Sequence, residues 1–295
     1  MPEPMAARST IDSTSSTSSY EELPLFFPSV SQALYGVFYA PVGDRKDSVL
    51  VFSHSLGIEH MVTQRMEVLG ARAAAKAGFA VFRYNARGHG DSAGDARDVA
   101  FTDLVDDACA AADYARMVSG TARIVWVGVR FGCLIAAAAM ARRDDAVALA
   151  LWEPLHQGGE YFRAAIRTVL FCQVAQGKRS GATVDDLLER LELDGALPVV
   201  GTYLYSSLWR SAHHVDLAGS LKAWAGDTLI AQVQHRPALS ASNERARSEI
   251  EQRGGKVTVS LIRQEPTWSM LPVVRPQWTS DALLTATKEW LHGLE

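Results

Sequence analysis

The sequence has few cysteines, and their arrangement excludes two kinds of stabilising site. Among 295 residues there are three cysteines, Cys109, Cys133 and Cys172. Their odd number and the lack of C-x-x-C spacing give no basis for a disulfide framework or a structural zinc site. We therefore expect three reduced, mostly buried thiols, no bound metal and no other cofactor.

The charge balance and the lack of long apolar runs exclude two classes of partner. The 29 Lys and Arg against 33 Asp and Glu give a formal net charge of −4, and no basic stripe is present, so we expect no nucleic acid partner. No run approaches the roughly 18 apolar residues of a transmembrane helix, and the N-terminus lacks the apolar segment of a signal peptide. We predict a cytoplasmic protein without a membrane span.

Apolar runs that alternate with helical patterns predict an α/β fold with a mostly parallel, doubly wound sheet. The Ser/Thr-rich residues 1–22 predict a disordered tail, and residues 23–154 and 223–295 form the predicted core. We predict strands at residues 33–41, 48–54, 79–85, 123–129, 146–154, 227–234 and 256–264. The apolar spacing predicts helices at 61–78, 101–120, 239–255 and 280–294.

Residues 155–222 interrupt this alternation. Their pattern predicts successive helices, including 183–193 and 203–217, with no strand between them. Such an insertion is typical of a helical cap over the carboxyl ends of the strands, where open α/β sheets bind ligands. The aromatic stretch "TYLYSSLW" within it offers an apolar surface for a protein partner or a homodimer.

Four features resemble the α/β-hydrolase fold in order and spacing, over about residues 30–295. They are "FSHSLG" at 52–57, the loop "RYNARGHGDSAG" at 83–94, "GVRFG" at 128–132 and the cap. "GVRFG", "LWEPLHQGGEYFRAAIR" and "VVGTYLYSSL" are similar to a bacterial branch of this superfamily, the exosortase-system-associated hydrolase-like proteins. The resemblance implies a nucleophile elbow at 128–132 and an oxyanion loop at 52–57.

The resemblance also shows what this chain lacks. Active members carry Ser in G-x-S-x-G, an acid after a later strand and a His after the last strand. Here Arg130 stands at the serine's place, His235 at the acid's, and the segment after the last strand supplies Glu265 and Trp268. Guanidinium stays protonated and cannot attack a carbonyl. Losing one nucleophile or base costs on the order of 10⁶ in turnover, so Ser-His-Asp hydrolysis is not expected.

The glycine-rich "ARGHGDSAG" lacks the lysine and the hydroxyl residue of a phosphate-binding loop, which argues against nucleotide binding. We expect a structural role instead, in which Arg87 and Asp91 fasten the loop.

Arg130 has two alternative roles. At the start of the helix after the elbow, its guanidinium would add to the positive end of the helix and form an anion-binding floor. Alternatively, it forms an internal ion pair with Glu153 or another buried acid, because an unpaired buried arginine is too costly to persist.

The remaining candidates follow from their positions near the elbow. His235, Glu153 and Glu265 are candidate acids or bases, the alternative being exposed or paired side chains. His54 and Ser55 are candidate hydrogen-bond donors to a ligand oxygen, unless "HSLG" is only a turn. The predicted ligand-contacting residues are His54, Ser55, Leu56, Phe131, Tyr205 and Trp268.

Two functions are compatible with this pattern. One is an atypical enzyme that binds a small anionic acyl, peptidyl or carboxylate substrate and performs non-covalent acid–base chemistry, such as isomerisation, elimination, cyclisation or water-mediated hydrolysis. The other is a non-catalytic pseudo-hydrolase that binds an anionic ligand or a protein partner. An open cavity that presents Arg130 and His235 to one point favours the enzyme, whereas a closed, dry pocket with Arg130 neutralised by Glu153 favours the pseudo-hydrolase.

Overall fold

A computed structural model describes residues 19–177, 181–235, 238–265 and 278–294. The strands in this part of the chain are β1 (Tyr20–Ser29), β2 (Gln32–Pro41), β3 (Val49–Ser53), β4 (Ala80–Tyr84), β5 (Ile124–Val129), β6 (Ala146–Trp152), β7 (Ala196–Val199), β8 (Thr202–Tyr205), β9 (Asp227–Gln234) and β10 (Val257–Arg263). The helices there are α1 (Gly57–Lys76), α2 (Phe101–Ser119), α3 (Gly132–Met140), α4 (Gly158–Ala175), α5 (Val184–Asp194), α6 (Ser206–Ala212), α7 (Leu217–Leu221), α8 (Ala241–Gln252) and α9 (Asp281–His292). None of these helices has the length and hydrophobicity needed to cross a membrane.

Eight strands form one sheet in the order β1-β2-β4-β3-β5-β6-β9-β10. In this sheet, neighbouring strands pair in parallel among β4, β3, β5, β6, β9 and β10. At one edge, β1 and β2 are added in antiparallel pairing. Every residue of β3 and β5 is buried, because α2 and α3 cover one face of the sheet and α1 and α9 the other. The predicted mostly parallel α/β fold and its seven predicted strands are confirmed.

The strand β1 was not predicted, and it begins at Tyr20, inside the segment expected to be a tail. Residues 1–18 lie outside the described residues. Two glutamates and two prolines in "YEELPLFFPS" give β1 a weak strand pattern, because these residue types are depleted in strands. Pairing along all ten residues with β2 holds the segment in place.

Proline protects the open edge of β1. Val42 N–H donates to the Ser19 carbonyl at 2.9 Å, and the regular antiparallel register then alternates between bonded and non-bonded pairs. Odd-numbered residues of β1 therefore bond to β2, and even-numbered residues direct their backbone groups outward. Pro24 and Pro28 occupy even positions and have no N–H to offer. The edge is thus a poor template for another strand.

Replacing both edge prolines with threonine, in Pro24→Thr/Pro28→Thr, is expected to shift the protein towards larger species. The change restores two outward N–H groups beside the exposed Phe26 side chain. Light scattering after size-exclusion chromatography, over a range of concentrations, measures the shift. Pro198→Thr, at an exposed position of β7 outside the main sheet, is the control. An unchanged mass distribution in the double variant would contradict the role given to the prolines.

The segment 155–222 contains a β-hairpin in addition to helices. β7 and β8 pair antiparallel, so the prediction of helices alone is wrong here, and the predicted helix at 203–217 is divided into β8, α6 and the start of α7. The turn residues Val200 and Gly201 have φ of 44° and 83°, as in the tight turns that usually contain Asn-Gly. Since valine rarely adopts positive φ, the sequence gives no hairpin signal.

The loop after β4 is fastened by a buried acid. Arg87 Nη2 donates to Asp107 Oδ1 at 2.7 Å, and Arg87 Nη1 donates to Asp103 Oδ1 at 3.0 Å. Asp107 is fully buried and also accepts from Ser29 Oγ at 2.6 Å. The expected role of Arg87 is confirmed, but its partners lie on α2, whereas Asp91 is exposed. The prediction of Asp91 as a second anchor is therefore wrong.

Candidate active site

Arg130 lies at the tip of a sharp turn between β5 and α3. Its φ is 54°, the left-handed conformation that a strand-to-helix elbow imposes on the residue at its tip. The glycines on either side of the tip are required because neighbouring backbone atoms lie too close to leave room for a Cβ. A Cβ on Gly128 would lie 2.5 Å from Cys133 Cα, and one on Gly132 would lie 2.0 Å from the Ser53 carbonyl oxygen. The turn therefore has the shape of a nucleophile elbow, with arginine at its tip.

The guanidinium of Arg130 forms a buried ion pair with Glu59. Arg130 Nη2 lies 2.9 Å from Glu59 Oε1, and the two side chains are 11% and 4% exposed. The other oxygen, Glu59 Oε2, accepts a hydrogen bond from Ser55 Oγ at 2.7 Å. Ser55 belongs to the loop after β3, and Glu59 to the first turn of α1. One carboxylate therefore connects the elbow to the predicted oxyanion loop.

Glu153 lies beside this pair, directly after β6. It has a φ of 49°, and its Oε2 accepts a hydrogen bond from the backbone N–H of Val233 in β9. Burial raises the pKa of Glu153, while the Val233 N–H and the Arg130 charge act in the opposite direction. Glu153 is thus an electrostatic neighbour of Arg130, and its hydrogen bond goes to the backbone of the adjacent strand.

His54 is held in one tautomer by two backbone contacts. Its Nδ1 lies 2.6 Å from the Ser55 carbonyl oxygen, which only accepts, and its Nε2 lies 3.2 Å from the Ala86 N–H, which only donates. Nδ1 therefore carries the proton. The ring centroid lies 4.2 Å from that of His60 and 5.7 Å from that of His89. Burial lowers the pKa of His54 well below its ordinary value, with both neighbouring histidines acting in the same direction.

This arrangement of histidines is not a metal site. No group of His, Cys, Asp and Glu within the described ranges is placed to hold a metal ion. Both ring nitrogens of His54 contact the backbone, so the cluster joins the loop after β3 to the loop after β4.

The structure brings together the predicted residues that follow β3, β5 and β6. Leu56 and Phe131 are buried and precede the first residues of α1 and α3. They accompany Ser55, Arg130 and Glu153 at the same end of the sheet. The side chain of Ser55 is already engaged by Glu59, so it is not a free donor to a ligand.

The other predicted residues follow β9 and β10 or belong to the β7–β8 hairpin. His235 is exposed directly after β9, and Glu265 is half-buried after β10. Tyr205 stacks on Tyr203 in the hairpin with a ring-centroid distance of 6.1 Å, and Tyr203 is 56% exposed. Trp268 lies outside the described residues.

Sequence patterns alone do not reveal Glu59 or Tyr161, the two additional side chains at this site. The predicted first helix began at Met61, which left Glu59 in a loop, whereas α1 begins at Gly57. The available signal was the spacing of four residues between Ser55 and Glu59, which suits a side-chain contact across a helix start. Tyr161 carries no such signal, because it reaches the site from α4.

Comparison with known proteins agrees with this geometry. The family model described as serine aminopeptidase, S33, matches residues 44–194, more than half of the chain. No curated protein sequence matches.

Similar solved structures show the fold. Est1E from Butyrivibrio proteoclasticus, solved with ferulic acid, is 16% identical with a TM-score of 0.65, over 92% of this chain and 98% of that one. Esterase Pf2001 of Pyrococcus furiosus is 12% identical with a TM-score of 0.64, over 99% and 97%. A putative hydrolase from Agrobacterium vitis S4 is 14% identical with a TM-score of 0.59, over 93% and 98%. With its elbow, its sheet order and the matching family model, the chain has the α/β-hydrolase fold and belongs to the serine aminopeptidase S33 family.

Proposed function

We propose that the protein is a cytoplasmic pseudo-hydrolase, a member of this family that binds a ligand on the hydrolase scaffold and forms no acyl intermediate. The observation that carries the proposal is the buried ion pair between Arg130, at the tip of the elbow, and Glu59. A guanidinium has no lone pair available for attack at any physiological pH. The same carboxylate also engages the hydroxyl of Ser55, in the predicted oxyanion loop.

The ion pair also bears on the charge of the ligand. The sequence favoured an anionic ligand held by Arg130, but Glu59 already supplies the carboxylate that this guanidinium requires, and Glu153 adds a further acid nearby. A ligand anion would have to displace Glu59, and separating a buried pair leaves an uncompensated charge at a cost of several kcal/mol. The pair therefore favours an uncharged acyl group over a carboxylate or phosphate.

We assign residues 155–222 to a cap over this site, and residues 23–154 and 223–295 to the core. The contacts of Gly57 support this division. A Cβ on Gly57 would lie 2.7 Å from the hydroxyl oxygen of Tyr161 and 3.5 Å from Thr202 Cγ2. Two separate parts of the segment, α4 and the hairpin, thus reach the loop beside the elbow. We also predict that the cap binds a protein partner or a second copy of the chain through the stacked tyrosines of the hairpin.

The proposal predicts no covalent reaction with a serine-directed probe. A fluorophosphonate should label neither the unmodified chain nor Arg130→Ser, and both should hydrolyse p-nitrophenyl acetate at the background rate, because the segment between β10 and α9 contains no histidine to act as the base. Intact-mass spectrometry and absorbance measure the two results, with an active serine hydrolase as positive control. Arg130→Ser/Glu59→Gln repeats the test without an unpaired glutamate. An adduct on Ser55, or rapid turnover by either variant, would refute the proposal.

Glu153 favours a second candidate, a non-covalent acid–base enzyme. A half-buried carboxyl with a raised pKa beside a fixed cation is the type of group that moves protons next to a carbonyl. Such an enzyme would exchange the α-protons of a bound acyl compound with D₂O, as NMR detects, and Glu153→Gln would abolish the exchange. His235 and Glu265 are weaker candidates for this role, because His235 is exposed and Glu265 follows β10, the strand at the edge of the sheet.

A further inference from the structure

Tyr161 is a buried residue of α4 that presents its hydroxyl to the site from the cap. Its side chain is 4% exposed and lies between Phe131 and Phe162, with ring-centroid distances of 5.2 and 5.3 Å. Within the residues that the structure describes, its hydroxyl makes no hydrogen bond, and the oxygen is not among the fully buried polar atoms that lack a partner. The side chain is therefore buried while its oxygen stays accessible to a ligand. The hydroxyl is therefore suited to bind an oxygen that the chain itself does not supply.

The hydroxyl points at the first turn of α1. A Cβ on Gly57, the first residue of this helix, would lie 2.7 Å from the Tyr161 oxygen. The preceding residue, Leu56, has no side chain that caps the helix, and the first N–H groups of a helix have no partners within it. The start of a helix of 20 residues also carries partial positive charge. A phenol and a helix terminus thus face the same small region beside the elbow.

The charges around the hydroxyl identify what it can bind. Burial raises the pKa of Tyr161, and the nearby Glu59 charge acts in the same direction, so the phenol stays protonated and donates. Arg130 is already neutralised by Glu59. A ligand carboxylate would meet the Glu59 carboxylate without a free cation to compensate, whereas a neutral carbonyl oxygen accepts from the phenol without that repulsion.

We propose that Tyr161 is a ligand-binding residue, which donates a hydrogen bond to the uncharged carbonyl oxygen of an amide or ester at the first turn of α1. The inference rests on the proposed function, because it names the ligand class for the same site. The aromatic rings of Phe131 and Phe162 beside the phenol favour an acyl group with an apolar or aromatic substituent.

The test uses phenylacetamide and phenylacetate, which differ mainly in charge. NMR titration should show binding of phenylacetamide to the unmodified chain and weaker binding of phenylacetate. Tyr161→Phe should weaken phenylacetamide binding by about 3- to 10-fold, the effect of one lost hydrogen bond. Tyr203→Phe, at the exposed tyrosine of the hairpin, is the matched control and should leave binding unchanged. Equal affinity in Tyr161→Phe, or no binding of phenylacetamide to the unmodified chain, would overturn the proposal.

Thermal unfolding without ligand separates a binding role from a structural one. Tyr161→Phe removes only the hydroxyl, so Tm should be unchanged or higher if the hydroxyl has no partner in the fold. A clear fall in Tm would show a partner within the chain and would overturn the proposal. In the NMR titration, phenylacetate binding that is tighter than phenylacetamide binding and is lost in Arg130→Met would also overturn it. Fluorophosphonate labelling of the same samples reports on the pseudo-hydrolase proposal separately, because labelling does not depend on the hydroxyl of Tyr161.

Discussion

Replacing Glu59 with alanine is expected to lower the free energy of unfolding by about 3–5 kcal/mol. The Arg130 and Glu59 side chains are 11% and 4% exposed, so the variant leaves a guanidinium in a buried site without its carboxylate. Ser55 Oγ loses its acceptor as well. Urea unfolding at pH 7, followed by circular dichroism, measures the change.

A double-mutant cycle tests whether the effect comes from the unpaired charge. Glu59→Leu/Arg130→Met replaces both partners with apolar side chains. It should be more stable than the summed effects of Glu59→Leu and Arg130→Met predict, because neither partner of the pair is left without the other. The exposed pair of Arg163 and Asp185, with side chains 44% and 78% exposed, is the control, and its removal should change stability little. A Glu59→Ala variant as stable as the unmodified chain would contradict the buried pair.

The second large effect is a loss of stability in acid, centred on His60. Burial lowers the pKa of His60 to about 3 from 6.5, and Arg83 and His89 act in the same direction. Between pH 6.5 and about pH 3, His60 is therefore protonated in the unfolded chain and neutral in the folded chain. This contribution to stability is complete above pH 6.5 and is lost as the pH falls towards 3, by at most about 5 kcal/mol.

Unfolding experiments between pH 4 and pH 7 measure this linkage. His60→Gln removes the titrating ring, so its free energy of unfolding should fall less steeply with decreasing pH than that of the unmodified chain. The lowered pKa values of His54 and His89 should preserve part of the slope. His292→Gln, at an exposed residue of α9, is the control. Identical slopes in His60→Gln and the unmodified chain would argue against a buried neutral His60.

Most strands and helices could be predicted because each leaves a local pattern. The apolar runs of β3 to β6 are buried on both faces of the sheet, and the alternation with amphipathic helices indicates parallel pairing. The missed elements leave no such pattern. β1 depends on pairing with β2 for its order, and the turn of the cap hairpin places Val200 at a φ of 44°, which no propensity favours.

The sequence by itself determined the fold and the tight turn of Gly128 to Gly132 with Arg130 between the glycines, because these depend on residue types and their spacing along the chain. Only the tertiary structure decided what Arg130 does. β3 and β5 are neighbours in the sheet, so the loop after β3 and the elbow after β5 meet at one end, although Glu59 and Arg130 are 71 residues apart. Because that proximity is set by strand order and not by local pattern, the partner of the arginine is visible only in the folded chain.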